Sequence, residues 1–528
     1  MSGLRLNAQF DLEYSKSKPW IKTENGFFAG TVFVGDRLLS EQNIKETLEN
    51  IKTCERATEF VKELNGHFAI AIVIEDKVFL STDRERMVPI FYEIKGDEVF
   101  VYNHITLDMI KERGINEQAL KELENTLFVT GTNTLAVGIN SVMAGETVMI
   151  SDGGIERCYY HEFNYEKLNY SDKDKLFNLI DEKFVATTKR LITYLDGRCA
   201  VVPLSGGHDS RLIVYYLKRL GYDNIITYTY GPKGNFEAST SENVAKFLNL
   251  KWYCVEYEPK NLKKLFKEKF AEFADYCSNG VSSVCVQDWY AVEYLHQKGV
   301  FPEDAVFVPG HSFDCISGSF ILPRYAKNDT VTKQELINDI LRKHHSEGKM
   351  ILPQQIRSYY EDNINQALLE NEPDVLTSDR AFNLYQNYNV RERQAKYICW
   401  QPKNYEYYGY DWYLPLWDAE LIDFWETIDI KTKYNRELFF EFTEHMYKDL
   451  MQAAPVLNVK DKNYKKVNMN PVVRVFRKIY QLFNYVDFHY CLAYFTQWDV
   501  LSIYAKYRVL NIGFFVNQKI IELVRKRK

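Results

Sequence analysis

The sequence predicts a mixed α/β chain in two parts, a β-rich first part and a second part built on a doubly wound parallel sheet. Three observations carry this expectation. Over about the first 165 residues, short β-rich runs alternate with turn residues. From about Ser171 the apolar period lengthens to that of a helix and then alternates strand, glycine turn and helix. The length of 528 residues is enough for two or three domains with sizeable cores.

The elements of the first part are GFFAGTVFVG, HFAIAIVIEDKVFL, IFYEIKGDEVFVYN and ETVMISDGGIERCYY. Several read as hairpins, because Asp97 and the Gly153-Gly154 pair fall between β-rich runs where a tight turn needs residues tolerant of positive φ. The stretch DKDKLFNLIDEKFVATTKRLITYL then has helical spacing. It leads into one βαβ unit: VVPLS as a buried strand, GGHDS as the turn, RLIVYYLKRL as a helix closed by Gly221, and NIITYTYG as the next strand. Residues 330–450 are helical in character, and no internal repeat or low-complexity segment is seen. From Pro471 to Lys528 there are ten Lys or Arg against three Asp or Glu, among aromatics at helical spacing. That pattern fits C-terminal helices packed on the core with a solvated basic end, or a basic amphipathic surface for a membrane or partner. The expected boundaries are 1–165, 170–470 and a helical extension at 471–528.

Composition excludes several classes. A net charge of -6 gives no overall field for nucleic acid phosphates. The nine cysteines are scattered without a CxxC pair, as reduced thiols would be, which favours the cytoplasm. Neither an export signal nor an uninterrupted apolar run long enough for a membrane span is evident.

The chemistry is concentrated in Leu204-Ser205-Gly206-Gly207-His208-Asp209-Ser210, between a strand and a helix start. Free backbone N–H groups and the helix dipole favour an anion there, and the two glycines let the backbone approach phosphate oxygens. Ser205 and Ser210 add hydroxyl donors, and Asp209 adds a carboxylate suited to magnesium. No GxxxxGK[ST] is present, so this is not the loop that transfers a γ-phosphate.

This SGGxDS pattern resembles the pyrophosphate loop of the N-type ATP pyrophosphatases, which split ATP into AMP and pyrophosphate. A second segment, Val306 to Ser319 (VFVPGHSFDCISGS), resembles the SGDGADELFGG segment of asparagine synthetases, with Asp314 at the second acidic position. Asp411 to Asp418 (DWYLPLWD) is similar to the family's ExRxPFLD, although Asp418 also reads as an N-cap. Ala454 to Lys462 falls where the family has a proline turn and then a catalytic lysine, for which Lys462 or Lys460 is the candidate. In the first part, LNGHFA (64–69), STDR (81–84) and PIFY (89–92) look like the family's N-terminal glutaminase-type domain. The resemblance thus covers nearly the whole chain.

It implies an N-terminal Ntn-hydrolase-like αββα domain and an adenine nucleotide alpha hydrolase-like (HUP, PP-loop) synthetase domain. It also implies ATP and Mg2+ as cofactors, metal ligands Asp209 and Asp314, catalytic roles for Asp209, Asp314, His311 and Lys462, and nucleotide contacts from Leu204, Ser205, Gly206, Gly207, Asp209, Ser210, Tyr230, Gly231 and Gly310. A carboxylate would be adenylated and then attacked by an amine. The partners implied are a small-molecule carboxylate and a nitrogen source, with a homodimer possible within the family.

The sequence departs from the family in places. Ser2 stands where the N-terminal cysteine nucleophile belongs, and the RGPD and NGEIYN segments that bind glutamine are missing before residue 100, so lost glutamine hydrolysis is the expectation. Nitrogen would then come from free ammonia, a separate glutaminase or a substrate amine. His311 and Cys315 replace acidic residues of the family pattern, and Arg211 follows the loop where a small residue is usual. His311 is a candidate proton acceptor or a hydrogen-bonded pocket wall. Arg211 is a candidate partner for phosphate or a substrate carboxylate, or a surface arginine. The SGGHDSR and GHSFDxxxGS variants resemble divergent family members of bacterial surface-polysaccharide clusters that act on uronic acid sugars. The alternatives are asparagine synthesis from aspartate, intramolecular ring closure of the β-lactam or lasso-peptide kind, and a silent scaffold.

Overall fold

The computed structural model describes residues 4–165, 168, 170, 172–231, 233–327, 329–345, 354–454 and 512–526. Alternation along the first strands builds a layered N-terminal unit. In Gly26–Val34, Asn65–Ile74 and Lys77–Thr82, the residues Phe28, Val32, Phe68, Ile70, Ile72 and Phe79 face one way and pack on Ile44, Leu48, Phe60 and Val61 of the helices Glu41–Asn50 and Cys54–Glu63. The intervening residues Ala29, Ala69, Ala71, Val78 and Leu80 face a second sheet through Tyr92, Val99 and Val101. That second sheet, of Arg5–Gln9, Glu98–Tyr102, Phe91–Lys95 and Asn140–Ser141, turns Phe91 and Tyr102 outward to the helices Leu107–Arg113 and Glu117–Asn125. The order is therefore helix, sheet, sheet, helix. Hairpins form around Gly96-Asp97 and Gly153, as the turn residues imply.

The second unit is built on five strands in the order Lys251–Glu256, Ile225–Gly231, Ala200–Pro203, Val306–Phe307 and Asp411–Trp412, all parallel. The chain runs outward from Ala200–Pro203 on one side and then returns to lay Val306–Phe307 on the other, so the strand order reverses between these two. Crevices outside the carboxyl ends of strands at such a reversal are where open parallel sheets bind ligands. Helical segments predominate in residues 330–450, with one small two-stranded sheet of Thr330–Thr332 and Val375–Thr377.

The two units are joined by a buried charge pair, in which the Lys18 ammonium, 1% exposed, lies 2.7 Å from Asp411. Within the second unit Arg190 pairs with Asp418 at 2.7 Å, both side chains also 1% exposed. Asn65 closes the joint by donating to Asp418 at 3.0 Å and accepting from the Ala419 N–H at 2.8 Å. The segment 411–418 is thus a clamp between units. Asp418 also caps the helix Ala419–Glu426, accepting from the Leu421 N–H at 3.2 Å.

Of the basic tail, the helix Ile512–Lys526 is described. It buries Val516, Ile520, Ile521 and Val524 against the core, and Asn517 donates to the carbonyl of Thr126 at 3.0 Å. Residues 455–511, with Lys460 and Lys462, lie outside the described residues, as does Ser2.

Candidate functional site

The loop 204–207 leaves the strand Ala200–Pro203 at the reversal point and runs into the helix His208–Arg219. The helix begins three residues earlier than the sequence pattern suggests, at His208 instead of Arg211, because Gly207 already has the extended geometry of an N-cap. Asp209 and Ser210 therefore stand in its first turn. No side chain caps the helix start, so its dipole and N–H groups remain for a ligand.

The two loop hydroxyls hold the turn in shape. Ser210 Oγ accepts from the Ser205 N–H at 3.1 Å, Ser205 Oγ accepts from the Gly207 N–H at 3.1 Å, and the two oxygens are 3.2 Å apart. Opposite, the turn after Val306–Phe307 approaches so closely that a Cβ on Gly310 would sit 2.8 Å from the Ser210 nitrogen. Only glycine permits this contact between backbones.

A cavity of about 210 Å³ lies between these loops. Leu204, Ser205, Gly207, Asp209, Ser210, Tyr230, Gly310 and His311, all marked in the sequence, line it. Gly206, Gly231 and Asp314 are not among its walls. Asp314 nevertheless acts on Asp209. Burial pushes the Asp209 carboxyl up, the Arg436 guanidinium pulls it down, and the charge of Asp314 pushes it up again. Two carboxylates from the helical turns that follow adjacent strands thus feel each other's charge.

His311 is pushed down to about 4 by burial, so its imidazole is neutral at ordinary pH, and Nε2 has no hydrogen-bond partner among the described residues. Arg211 is neither a surface arginine nor a wall of the cavity. It is 1% exposed, donates to the Ala454 carbonyl at 2.6 Å, and burial pushes it down to about 10. Cys315 is fully buried and takes hydrogen bonds from Asn389 at 3.0 Å and Gln386 at 3.1 Å. Its place is in the interior, and burial pushes the thiol far up.

Several residues in the site carry no sequence signal, Tyr228, Thr229, Glu237 and Gln401 of the cavity wall among them. Arg436 is the most consequential. Its Nη2 pairs with Asp209, and its Nε donates to Ser317 Oγ at 2.7 Å. No motif marks this arginine in KTKYNREL. A close approach holds it in place, since a Cβ on Gly318 would fall 2.1 Å from the Lys433 carbonyl oxygen.

Residues 196–454, which contain the whole of this site, match the family model described as asparagine synthase. This part of the chain is an asparagine synthase domain. The domain is of the ATP-dependent, amide-forming ligase type. No curated protein matches the sequence. Among solved structures, the NH3-dependent NAD synthetase of Campylobacter jejuni is similar over 37% of this chain and 84% of its own, at 15% identity and a TM-score of 0.20. The glutamine phosphoribosylpyrophosphate amidotransferase of B. subtilis is similar over 47% of this chain and 73% of its own, at 11% identity and a TM-score of 0.18. Among the described residues, no helix is long and apolar enough to cross a membrane.

Proposed function

We propose that this synthase domain adenylates a small carboxylate at the loop 204–210 and then forms an amide. The observation that carries the reading is the convergence of the uncapped loop, Asp209 and His311 on one cavity at the sheet's reversal point, with the charge of Asp314 felt at Asp209. A carboxylate oxygen of the acceptor attacks the α-phosphorus of ATP, and the bond to the bridging oxygen breaks to release pyrophosphate. An amine nitrogen then attacks the acyl carbon, AMP leaves with the bond's electron pair, and the amine gives up a proton.

The chain's own groups divide this work. The helix start and the loop N–H groups bind phosphate oxygens, and Gly310 holds the loop in shape. The charge of Asp314 felt at Asp209 supports the reading that the two carboxylates serve a common divalent cation. Asp209 and Asp314 would hold Mg2+, whose charge offsets that of the triphosphate. His311, neutral and open at Nε2, takes the proton of the attacking amine.

For the acceptor we propose a sugar uronic acid, on the resemblance of the SGGHDSR and GHSFDxxxGS variants to enzymes acting on such sugars. Ammonia, a separate glutaminase or a substrate amine supplies the nitrogen, consistent with Ser2 in place of cysteine. Pyrophosphate release from ATP and magnesium tests this, measured over aspartate and nucleotide-linked uronic acids with ammonia or glutamine. Release dependent on a uronic acid and indifferent to glutamine is the expected result. Release dependent on aspartate would move the protein to asparagine synthesis, and release without added amine would point to ring closure.

A further inference from the structure

The ion pair between Asp209 and Arg436 sits where a metal ligand is wanted. Among the described residues, Arg436 is the ion-pair partner that Asp209 has, and it is partly shielded from water, at 12% side-chain exposure against 17% for Asp209. A carboxylate engaged this way cannot offer the same oxygen to a cation at full strength, and a guanidinium beside a divalent ion is repelled. The guanidinium and a cation therefore compete for the charge of the Asp209 carboxylate, of which Arg436 holds Oδ1.

The way Arg436 is mounted suits such a competition. Asn435 and Arg436 both have left-handed backbone, with φ of 57° and 62°, which costs each about 1 kcal/mol and fixes the direction in which the side chain leaves the chain. The second contact, to Ser317 Oγ on the turn that also carries Asp314, stays available when the first is released. The guanidinium also lies 4.6 Å from the centre of the Phe439 ring, which supports its stem beside the loop.

We propose that Arg436 is the counter-charge that Asp209 exchanges for the metal: the carboxylate passes to the cation as the nucleotide enters, and the released guanidinium passes to the phosphate oxygens that become pyrophosphate. Arg436 is then a catalytic residue of the adenylation step, and it makes occupation of the metal position depend on the nucleotide. No covalent change is involved, only an exchange of ion partners. The proposal rests on the reading that Asp209 is a metal ligand.

The test is Mn2+ binding to the full chain, followed by the EPR signal of free Mn2+ with and without ATP, together with pyrophosphate release. The wild type is expected to bind Mn2+ weakly alone and much more tightly with ATP, bound Mn2+ being counted here and in the variants beyond what ATP holds in a protein-free control. In Arg436→Gln, Mn2+ binding without ATP tightens about tenfold, because its competitor is gone, while pyrophosphate release slows by about 10²-fold. Arg436→Lys, whose single nitrogen cannot hold Asp209 and Ser317 together, falls between the two and serves if the first variant does not fold. Unchanged Mn2+ affinity without ATP in the folded variants overturns the exchange. Asp209→Asn separates the two claims: if it leaves binding of Mn2+ with ATP intact, Asp209 is not a metal ligand and the underlying reading fails, whereas if it abolishes that binding, the reading stands whatever Arg436 does.

Discussion

Among the described residues, acidic groups gather with a histidine in the N-terminal unit and again at the synthase loop, and these two regions are completed in opposite ways. In the first, His67, Asp83 and Glu85 present ligand atoms within 4.8 Å of one another, all buried. Yet Asp83 is saturated by backbone: its Oδ1 accepts from the N–H groups of Glu85 and Met87 at 3.1 and 2.9 Å, its Oδ2 from Phe68 and Val88, both at 3.1 Å. His67 Nε2 accepts from the Leu414 N–H at 3.3 Å, which puts the ring proton on Nδ1, facing Glu85 at 3.5 Å. A cation there would displace bonds already made. At the loop the chain has left the helix start without a side-chain cap, and among the described residues Asp209 is met by the side chain of Arg436 and not by backbone.

The strongest break of this comparison is at Asp209. Asp209→Asn is expected to lower pyrophosphate release by about 10³-fold with a small change in stability, since the carboxylate acts on a ligand. Comparable stability loss and activity loss would make it architectural like Asp83. Conversely, Asp83→Asn turns two N–H donors of an amide toward backbone N–H groups and should cost about 2–4 kcal/mol in urea unfolding, with kcat per folded molecule unchanged. Gly310→Ala sharpens the contrast at the loop, because the added methyl meets backbone that must shift; pyrophosphate release is expected to fall by about 10- to 30-fold with a higher KM for ATP.

The smallest effect is a pH dependence. Burial pushes Glu85 well above its ordinary 4.5, and the nearby Asp83 pushes it further in the same direction. The folded chain then holds a proton that the unfolded chain releases, so stability is fullest below about 4.5 and erodes as pH rises. Glu85→Gln should flatten that part of the profile in unfolding midpoints taken between pH 5 and pH 8. An unaltered slope would mean that Glu85 is ionised in the fold.

Much of the fold was legible. Alternation of large and small residues, as in Phe28 beside Ala29 and Ile70 beside Ala71, marks the two faces of a sheet, and the strand, loop and helix around SGGHDS are local in sequence. The loop residues that line the cavity were legible for the same reason, since they lie in a short segment with its own pattern. The segment 411–418 was legible as a motif but not as a clamp, because its partners Lys18, Asn65 and Arg190 are hundreds of positions away or nearly so.

What the sequence alone determined is therefore what short-range chemistry dictates: the layered alternation, the parallel sheet, the glycine turn between strand and helix, and the synthase domain that contains it. Tertiary structure alone decided which charges meet. It withdrew Arg211 into the interior, turned Cys315 away from the cavity, and set Arg436 against Asp209 through a left-handed pair of residues and a glycine contact that carry no motif. The physical reason is that a charge takes its role from the groups that surround it after burial, and those groups come from segments whose separation in sequence says nothing of their distance in space.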